Sequence, residues 1–332
     1  MRLRTLLIST LGLGLVALVA LNIKSQRENV ATSKAPLVPG DILNAPVRFT
    51  LKAHDKLATI EKSSTGEWEV KEKYHLPADL ESRLGPLVQS LQHAENLGVL
   101  TQNPKRIEKL ELSNAVLTID GQNGKSITLN IGKETDDGLG NAIQITGDAF
   151  VLRTNFNGYI EADPSAWVNS TVFTTKAEEI KSLTLKFKDG EERFARTEKT
   201  KPFTGKEGPL LEGLAKTLSV LRFSEAVDLN DADAAAAQKN ISSHVEIKVE
   251  LYDGAILTTR WAQTVGSEKN PTKLFLRVSH SDPANRINQL GTKAEFSCAP
   301  WLAEQIPTSL ADFNLRTLPT ATAAPTEPNS AK

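Results

Sequence analysis

Two stretches of the chain share one motif, and this internal similarity constrains the fold more than any other feature. Residues 82–91 read SRLGPLVQSL and residues 206–214 read KEGPLLEGL, so each runs from Gly-Pro-Leu into an apolar helical pattern. Similar elements surround both copies in the same order. The sequence therefore predicts one structural unit that occurs twice, and the 332 residues suffice for two domains. At about 150 residues each, both would be large enough to bury a core of their own.

Strand patterns open each predicted unit and return after its helix. The first unit begins with TLKAHD and the second with TLKFKD, and both alternate apolar and polar residues as half-buried strands do. The pairs Asp120-Gly121 and Asp253-Gly254 each lie between two alternating runs, which predicts a hairpin in each unit. A further strand follows in both, FVLRT in the first unit and LFLRV in the second, and these two are matched to each other.

One helix in each unit carries an apolar stripe with spacings of three and four residues. The stripe positions are Leu84, Leu87, Val88, Leu91 and Ala94 in the first unit and Leu210, Leu211, Leu214, Leu218 and Leu221 in the second. Such a stripe packs against a sheet. The fold class is therefore predicted to be α+β, a tandem duplicated unit in which each copy is a mostly antiparallel sheet with one long helix.

The N-terminal stretch has the composition of a membrane segment. Residues 5–23 are uncharged and mostly apolar, and Arg2 and Arg4 precede them. A helix of this length crosses the hydrocarbon core of a bilayer. Cleavage after Ala20 would place Leu18 where a signal peptide needs a small residue, so an uncleaved anchor is favoured over a cleaved signal peptide. We expect a single-pass protein of the bacterial inner membrane, with the bulk of the chain periplasmic or extracytoplasmic.

The predicted organisation has five segments: a membrane anchor or signal segment over 1–23, a linker over 24–46, a first repeat over 47–175, a second repeat over 176–313, and a disordered tail over 314–332. The linker and the tail are assigned from their prolines and small polar residues, and neither shows periodicity. The second repeat also carries an alanine-rich insert over 229–241, where Asp231 or Asp233 is expected to cap a short helix.

Charge and cysteine content exclude several classes of protein. The chain has 39 basic and 40 acidic residues, so no global positive field would attract nucleic acid. Its one cysteine, Cys298, leaves no intramolecular disulfide, and both units must be held by packing alone. The sequence around Cys298, FSCAPW, predicts a small buried hydrophobic side chain rather than a reactive thiol.

No motif in the sequence predicts a catalytic, cofactor-binding or metal-binding residue. Gly124-Lys125-Ser126 resembles the end of a phosphate-binding loop, but Ile119 replaces the required earlier glycine and the segment lies between two strands. Gly138 and Gly140 are explained by a loop between strands. The acidic residues of the insert lack calcium-loop spacing, and no histidine pair has metal-ligand spacing.

The four tryptophans receive different interpretations. Trp167 and Trp301 follow the last predicted strand of each unit, so both are expected to fill the end of a core. Trp68 is also expected to pack in a core. Trp261 remains as a candidate for an exposed ligand groove between the repeats.

These patterns resemble a bacterial family known as domain of unknown function 4340. The resemblance rests on GEWEV, PADLESRLGPLVQSL, ITLNIG and DPSAWVN, is strongest over residues 49–202, and leaves out the C-terminal tail and residues 229–241. It implies an N-terminal membrane anchor and, for some members, association with ABC-transporter accessory proteins of the gliding-motility type. It implies no catalytic residue and no cofactor.

The expected function is that of a non-enzymatic, membrane-anchored extracytoplasmic module that contacts envelope or ABC-transporter proteins. One alternative is a ligand-binding protein that takes a glycan, peptide or lipid in a groove between the repeats, with the involvement of Trp261. The other is an envelope hydrolase with a dispersed site, for which His54, His93 and His280 are the natural bases.

Overall fold

Segments that alternate apolar and polar residues form the strands of two large antiparallel sheets, and a separate two-stranded sheet accompanies them in the described part of the chain. The computed structural model describes residues 35–239, 244–264 and 272–317. The chain divides into two compact units, Met1–Asn169 and Ser170–Lys332. Each unit combines a mostly antiparallel sheet with a few helices, which confirms the predicted α+β class.

The predicted membrane segment, residues 5–23, lies outside the described residues. Most of the predicted disordered tail, residues 318–332, lies outside them as well. Within the described part of the chain, no helix is both long and apolar enough to cross a membrane.

The described residues of the first unit, 35–169, form one sheet of ten strands. In chain order these are β1 Ala35–Pro36, β2 Pro46–Ala53, β3 Lys56–Lys62, β4 Trp68–Val70, β5 Leu76–Pro77, β6 Glu95–Thr101, β7 Ala115–Gly121, β8 Ser126–Glu134, β9 Asn141–Ile145 and β10 Val151–Thr154. Their order across the sheet is β1-β6-β10-β9-β8-β7-β2-β3-β4-β5. Every neighbouring pair is antiparallel.

Three helices accompany this sheet: α1 Gly40–Leu43, α2 Gly85–Gln92 and α3 Pro104–Ile107. A π-helical turn over Leu80–Leu84 leads into α2, and the Asp79 carboxylate caps that turn by accepting from the Ser82 backbone N–H at 2.9 Å. The predicted apolar stripe is confirmed, because Leu84, Leu87 and Leu91 are buried in the core of this unit.

Nine strands lie in the part of the second unit that the structure describes: β11 Thr171–Thr174, β12 Ile180–Lys186, β13 Glu191–Ala195, β14 Val220–Arg222, β15 Glu225–Val227, β16 Val245–Leu251, β17 Ile256–Gln263, β18 Leu274–His280 and β19 Glu295–Cys298. Seven of them form a sheet in the order β13-β12-β16-β17-β18-β19-β15, and β11 pairs with β14 separately. All of these pairs are antiparallel.

The helices of the second unit are α4 Gly208–Ser219, α5 Ala232–Lys239, α6 Arg286–Leu290, α7 Pro300–Gln305 and α8 Leu310–Arg316. Helix α5 is the predicted alanine-rich helix, and Asp231 caps it by accepting from the Ala234 backbone N–H at 2.9 Å. Its buried Ala234 and Ala237 pack with Phe275 of the sheet. The alanine-rich segment is therefore part of the folded unit.

Seven strands of the first sheet and the seven of the second follow the same connectivity. The order β6-β10-β9-β8-β7-β2-β3 in the first unit corresponds to β15-β19-β18-β17-β16-β12-β13 in the second. The predicted match between FVLRT and LFLRV is wrong, because β18 takes the place of β9 and β19 takes the place of β10. The sequence pattern does not predict β9, the short strand after Gly138 and Gly140. Without it, β10 of the first unit is matched to β18 instead of β19.

Both predicted hairpins form with the same turn geometry, but only the second turn lies where it was predicted. Asp253-Gly254 makes the β16–β17 turn, and Gly254 has a φ of 90°, a conformation that suits glycine. In the first unit Asp120 pairs across the ladder with Ser126, so the predicted Asp120-Gly121 turn is wrong. The turn is made by Asn123-Gly124 instead, where Gly124 has a φ of 76°.

Three segment boundaries also require correction. Residues 35–46 were assigned to the linker, but they form β1 and α1 and bury Leu37, Val38, Ile42 and Leu43. Their prolines occupy tolerated positions, in a two-residue edge strand, before a helix and at the start of a strand. The first unit ends at Asn169 rather than at residue 175. The predicted tail begins within α8, which continues to Arg316.

Gly140 offers a test of the packing in the first unit. A Cβ atom at this position would lie 2.7 Å from the backbone atoms Asn155 C, Phe156 O and Thr154 O, and none of these can move independently of the chain. We expect Gly140→Ala to lower the free energy of unfolding by about 1–3 kcal/mol. In Gly40→Ala the new Cβ makes only an ordinary 3.5 Å contact and alanine is the better helix former, so this control should unfold at or slightly above the wild-type denaturant midpoint. Equal midpoints for both variants would contradict the described packing.

Candidate functional site

An apolar groove lies on the surface of the second unit and is lined by described residues. It has a volume of about 860 Å³ and is called the α4–α7 groove below. Helices α4, α7 and α8 and strand β14 supply its lining: Pro209, Leu210, Gly213, Leu214, Lys216, Thr217, Val220, Leu221, Arg222, Trp301, Leu302, Glu304, Gln305 and Arg316. This volume lies within the range of ligand-binding clefts, about 300–1,000 Å³.

Helix α4 forms the floor of the groove because only one of its sides faces the core. Leu211, Leu214 and Leu218 are buried, as the helical spacing predicts. The Glu212 carboxylate holds the helix in place by accepting from the Phe203 backbone N–H and from Arg196 Nη2, each at 2.8 Å. The opposite side of α4 is left to face the groove.

Gly213 is an unusual residue for the middle of this helix. A Cβ atom added there would meet nothing within 4 Å among the described residues, so internal packing does not require glycine. Its backbone is helical and does not have a positive φ. A glycine inside the apolar helical pattern was the sequence signal that could have pointed to this surface.

Trp301 is the aromatic residue of the groove, and its placement corrects a prediction. It was expected to fill a core but is 56% exposed, whereas Trp167 is fully buried as predicted. Helix α7 begins at Pro300 and buries Leu302. Because successive residues of a helix point about 100° apart, Trp301 faces outward while its neighbour faces the core.

The other two tryptophans do not line the groove. Trp261 was expected at an exposed ligand groove, but it is fully buried and its Nε1 donates to Thr259 Oγ1 at 2.9 Å. That expectation is wrong, since the alternating pattern of β17 places Trp261 on the core face. Trp68 packs on Phe49 with ring centroids 5.5 Å apart, as a core-packing role predicts.

Polar and charged groups surround the apolar floor. Thr217 Oγ1 donates to Gln305 Oε1 at 2.6 Å, which joins α4 to α7. The Arg316 guanidinium donates to both carboxylate oxygens of Asp312 and to the Glu304 backbone oxygen. Lys216 and Arg222 form no ion pair with any residue in the described ranges. Two cationic groups at this rim are therefore available to a partner.

The histidines of the hydrolase alternative lie on three separate elements. His54 lies in the β2–β3 turn with a φ of 52°, and His280 ends β18. His93 follows α2, where its Nδ1 lies 2.7 Å from the Gln89 backbone oxygen. Among the residues that the structure describes, no three His, Cys, Asp or Glu side chains form a potential metal site.

Cys298 is buried, as predicted, and its Sγ lies 3.8 Å from the Arg222 backbone oxygen. Burial raises the pKa of this thiol to about 12. The side chain therefore stays protonated near neutral pH, and a thiol is much less nucleophilic than a thiolate.

The Glu250 carboxylate is held by three hydrogen-bond donors of neighbouring strands. Lys181 Nζ donates to it at 2.7 Å, Ser182 Oγ at 2.8 Å and Arg193 Nη2 at 2.7 Å. These hydrogen bonds, with that of Lys181 the strongest, lower its pKa from an ordinary 4.5 to about 2. The carboxylate is ionised at neutral pH and ties β16 to β12 and β13, so it acts as a structural link.

Glu250→Gln tests this link through its pH dependence. Because the folded-state pKa is lowered, the stabilising effect is complete above about pH 5 and is lost as the pH falls from 4.5 towards 2. At pH 7 we expect the free energy of unfolding of the variant to be about 1 kcal/mol lower than that of wild type. The difference is small because the cluster is partly exposed. The difference from wild type should shrink below pH 4.5. Glu191→Gln, on the exposed edge strand, is the control, and a difference that does not change with pH would contradict the assignment.

Iodide quenching of tryptophan fluorescence tests the exposure of Trp301. Iodide reaches only side chains at the surface, so Trp301→Phe should remove most of the quenchable emission. Trp261→Phe should remove total emission while leaving the quenchable part unchanged, because Trp261 is fully buried. The described groove is wrong if the quenchable emission survives Trp301→Phe.

Comparison with known proteins gives one match. The family model described as Domain of unknown function (DUF4340) matches residues 68–240, slightly more than half of the chain. The match begins in β4 and runs through α5, so it includes most of the insert at residues 229–241 that the resemblance had left out. No curated protein and no solved structure matches the chain. The chain therefore belongs to the family Domain of unknown function (DUF4340).

Proposed function

We propose that this chain is a non-enzymatic, membrane-anchored module that binds another protein of the cell envelope through the α4–α7 groove. The observation that carries the proposal is an apolar groove with a half-exposed tryptophan in its lining. Protein interfaces concentrate their binding energy in a few central side chains, and tryptophan and arginine are enriched among them.

The exposure of the groove side chains supports an interaction surface. Trp301 is 56% exposed and Val220 is 49% exposed, although both are large apolar residues. Each costs free energy when it faces water, and burial of such a side chain contributes about 1.5–3 kcal/mol. The Thr217–Gln305 hydrogen bond joins the two helices before any partner arrives. A preformed groove reduces the ordering that binding requires.

The proposed location is the periplasmic side of a bacterial inner membrane. The uncharged segment at residues 5–23 supports a single-pass anchor, and the long polar chain after it supports an extracytoplasmic bulk. An ABC-transporter or another envelope complex is the proposed partner assembly, by analogy with some members of the family. A partner in the same membrane would be presented to the groove at high effective concentration.

We also infer that the two units arose by internal duplication. The shared order of seven strands and the shared Gly-Pro-Leu start of α2 and α4 support this inference. The copies differ where the groove lies: the segment after β10 buries Trp167, and the segment after β19 exposes Trp301. That divergence supports a binding role for the second copy.

A ligand-binding function is the alternative that the groove also supports. Its volume of about 860 Å³ could enclose a peptide, lipid or glycan of moderate size. Mass spectrometry of the full chain, released gently from its membrane, separates the two functions. A bound small molecule that Trp301→Ala removes would favour the alternative.

Site-specific photo-crosslinking in living cells tests the proposed function. Benzoylphenylalanine replaces Trp301 in the groove or, as the control, Tyr159, which is 50% exposed in the first unit. We expect position 301 to give one discrete protein adduct and position 159 to give none of that adduct. The same adduct from both positions, or no protein adduct from position 301, would contradict the proposal.

A further inference from the structure

We propose that the α4–α7 groove receives an amphipathic α-helix whose polar face is acidic. This inference rests on the proposed function and names the kind of partner that the groove fits. Three features of the described residues carry it: the arrangement of the groove-lining side chains on α4, the glycine on its floor and the unpaired cations on its rim.

The floor of the groove is one row along a helix. Leu210, Gly213 and Thr217 recur at spacings of three and four, and Val220 follows at the end of α4. Helix α7 bounds the groove with Trp301 and Leu302. A third helix packs into such a channel when its own apolar residues recur at spacings of three and four residues. The rows of side chains on one helix then fit between the rows on its neighbours.

Gly213 makes close approach of a partner backbone possible. Glycine in a helix interior costs about 1 kcal/mol relative to alanine. No described residue occupies the space that a Cβ atom would take, so the cost is not offset by internal packing. A partner helix that crosses α4 at this point would contact bare backbone and bring its flanking side chains onto Leu210 and Val220.

The charges at the rim select the polar face of that helix. The lining contains three basic residues, Lys216, Arg222 and Arg316, and one acidic residue, Glu304. Arg316 is already bound to Asp312. Lys216 and Arg222 have no ion-pair partner in the described ranges, so carboxylates beside the apolar row of the partner would pair with them.

The chain's own C-terminal sequence does not match this occupant. Residues 318–332 read LPTATAAPTEPNSAK and contain three prolines, one glutamate and a single large apolar residue, Leu318. That sequence has no apolar row with helical spacing. This tail is therefore excluded as the occupant, and the proposal assigns the groove to an acidic helix of another protein.

Two designed peptides are the probes. Both have 16 residues and the same leucine row, and their polar positions carry glutamate in one and lysine in the other. Binding to the full-length chain in zwitterionic nanodiscs is measured by fluorescence anisotropy, with empty nanodiscs as the background. We expect the glutamate peptide to bind at least tenfold more tightly than the lysine peptide. The double variant Lys216→Glu/Arg222→Glu should invert this preference.

Gly213 variants test the site independently of charge. Gly213→Leu should weaken binding of the glutamate peptide at least tenfold, because its side chain fills the floor of the groove. Gly213→Ala should weaken binding by a smaller factor than Gly213→Leu, because a single Cβ atom displaces the partner backbone less than a leucine side chain does. Both substitutions favour the helix, so an unfolding midpoint at or above that of wild type shows that each variant is folded.

Several outcomes would overturn the inference. Equal binding of the two peptides, or an unchanged preference in the charge-reversed variant, would contradict the claim that the partner helix has an acidic polar face. If Gly213→Leu leaves binding of the glutamate peptide unchanged, the peptide binds outside the α4–α7 groove. If anionic vesicles bind at Trp301 and neither peptide does, the surface is a membrane contact instead. A crosslinked partner held by a segment that is not an acidic helix would end this inference while leaving the proposed function standing.

Discussion

The buried side chains of helix α4 fix its orientation about its own axis, and the open groove of the second unit depends on this orientation. Leu211, Leu214 and Leu218 are buried on one side, and Glu212 ties the helix to the preceding segment. Each buried leucine contributes about 1.5–3 kcal/mol, so the helix cannot rotate to hide its other side without a larger loss. The remaining apolar side, with Gly213, becomes the floor of an open groove.

The two units share an order of seven strands and differ in which side chains they leave exposed. In both, a helix that starts at Gly-Pro-Leu buries its apolar stripe beside a sheet of the same strand order. The first unit ends with Trp167 in its core, where the indole Nε1 donates to the Glu161 backbone oxygen at 2.6 Å. In the second unit, helix α7 places Leu302 inside and Trp301 outside. The outward orientation of Trp301 contributes an exposed aromatic side chain to the α4–α7 groove.

Periodicity predicted the parts of this fold that depend on local burial. The stripe of α2, the α+β class and the cap of α5 by Asp231 are confirmed, because each is determined by a few neighbouring residues. The stripe of α4 is confirmed only in part, since Leu210 lines the groove and Leu221 lies in β14. Predictions failed where tertiary context decides, as with the prolines near residue 40 that accompany β1 and α1. The groove could not be predicted, since it joins residues 209–222 to residues 301–316 and its key feature is an absent side chain at Gly213.

Hydrogen–deuterium exchange of the full chain, in its own membranes and after purification, tests the central claim most directly. If the groove holds a partner helix, peptides from α4, β14 and α7 exchange more slowly in the native membrane than in the purified chain. Peptides from the β7–β8 hairpin, on the first unit, then exchange at the same rate in both. Equal exchange of α4 and α7 in the two states would contradict the account, because an occupied groove must protect the backbone on its floor and wall.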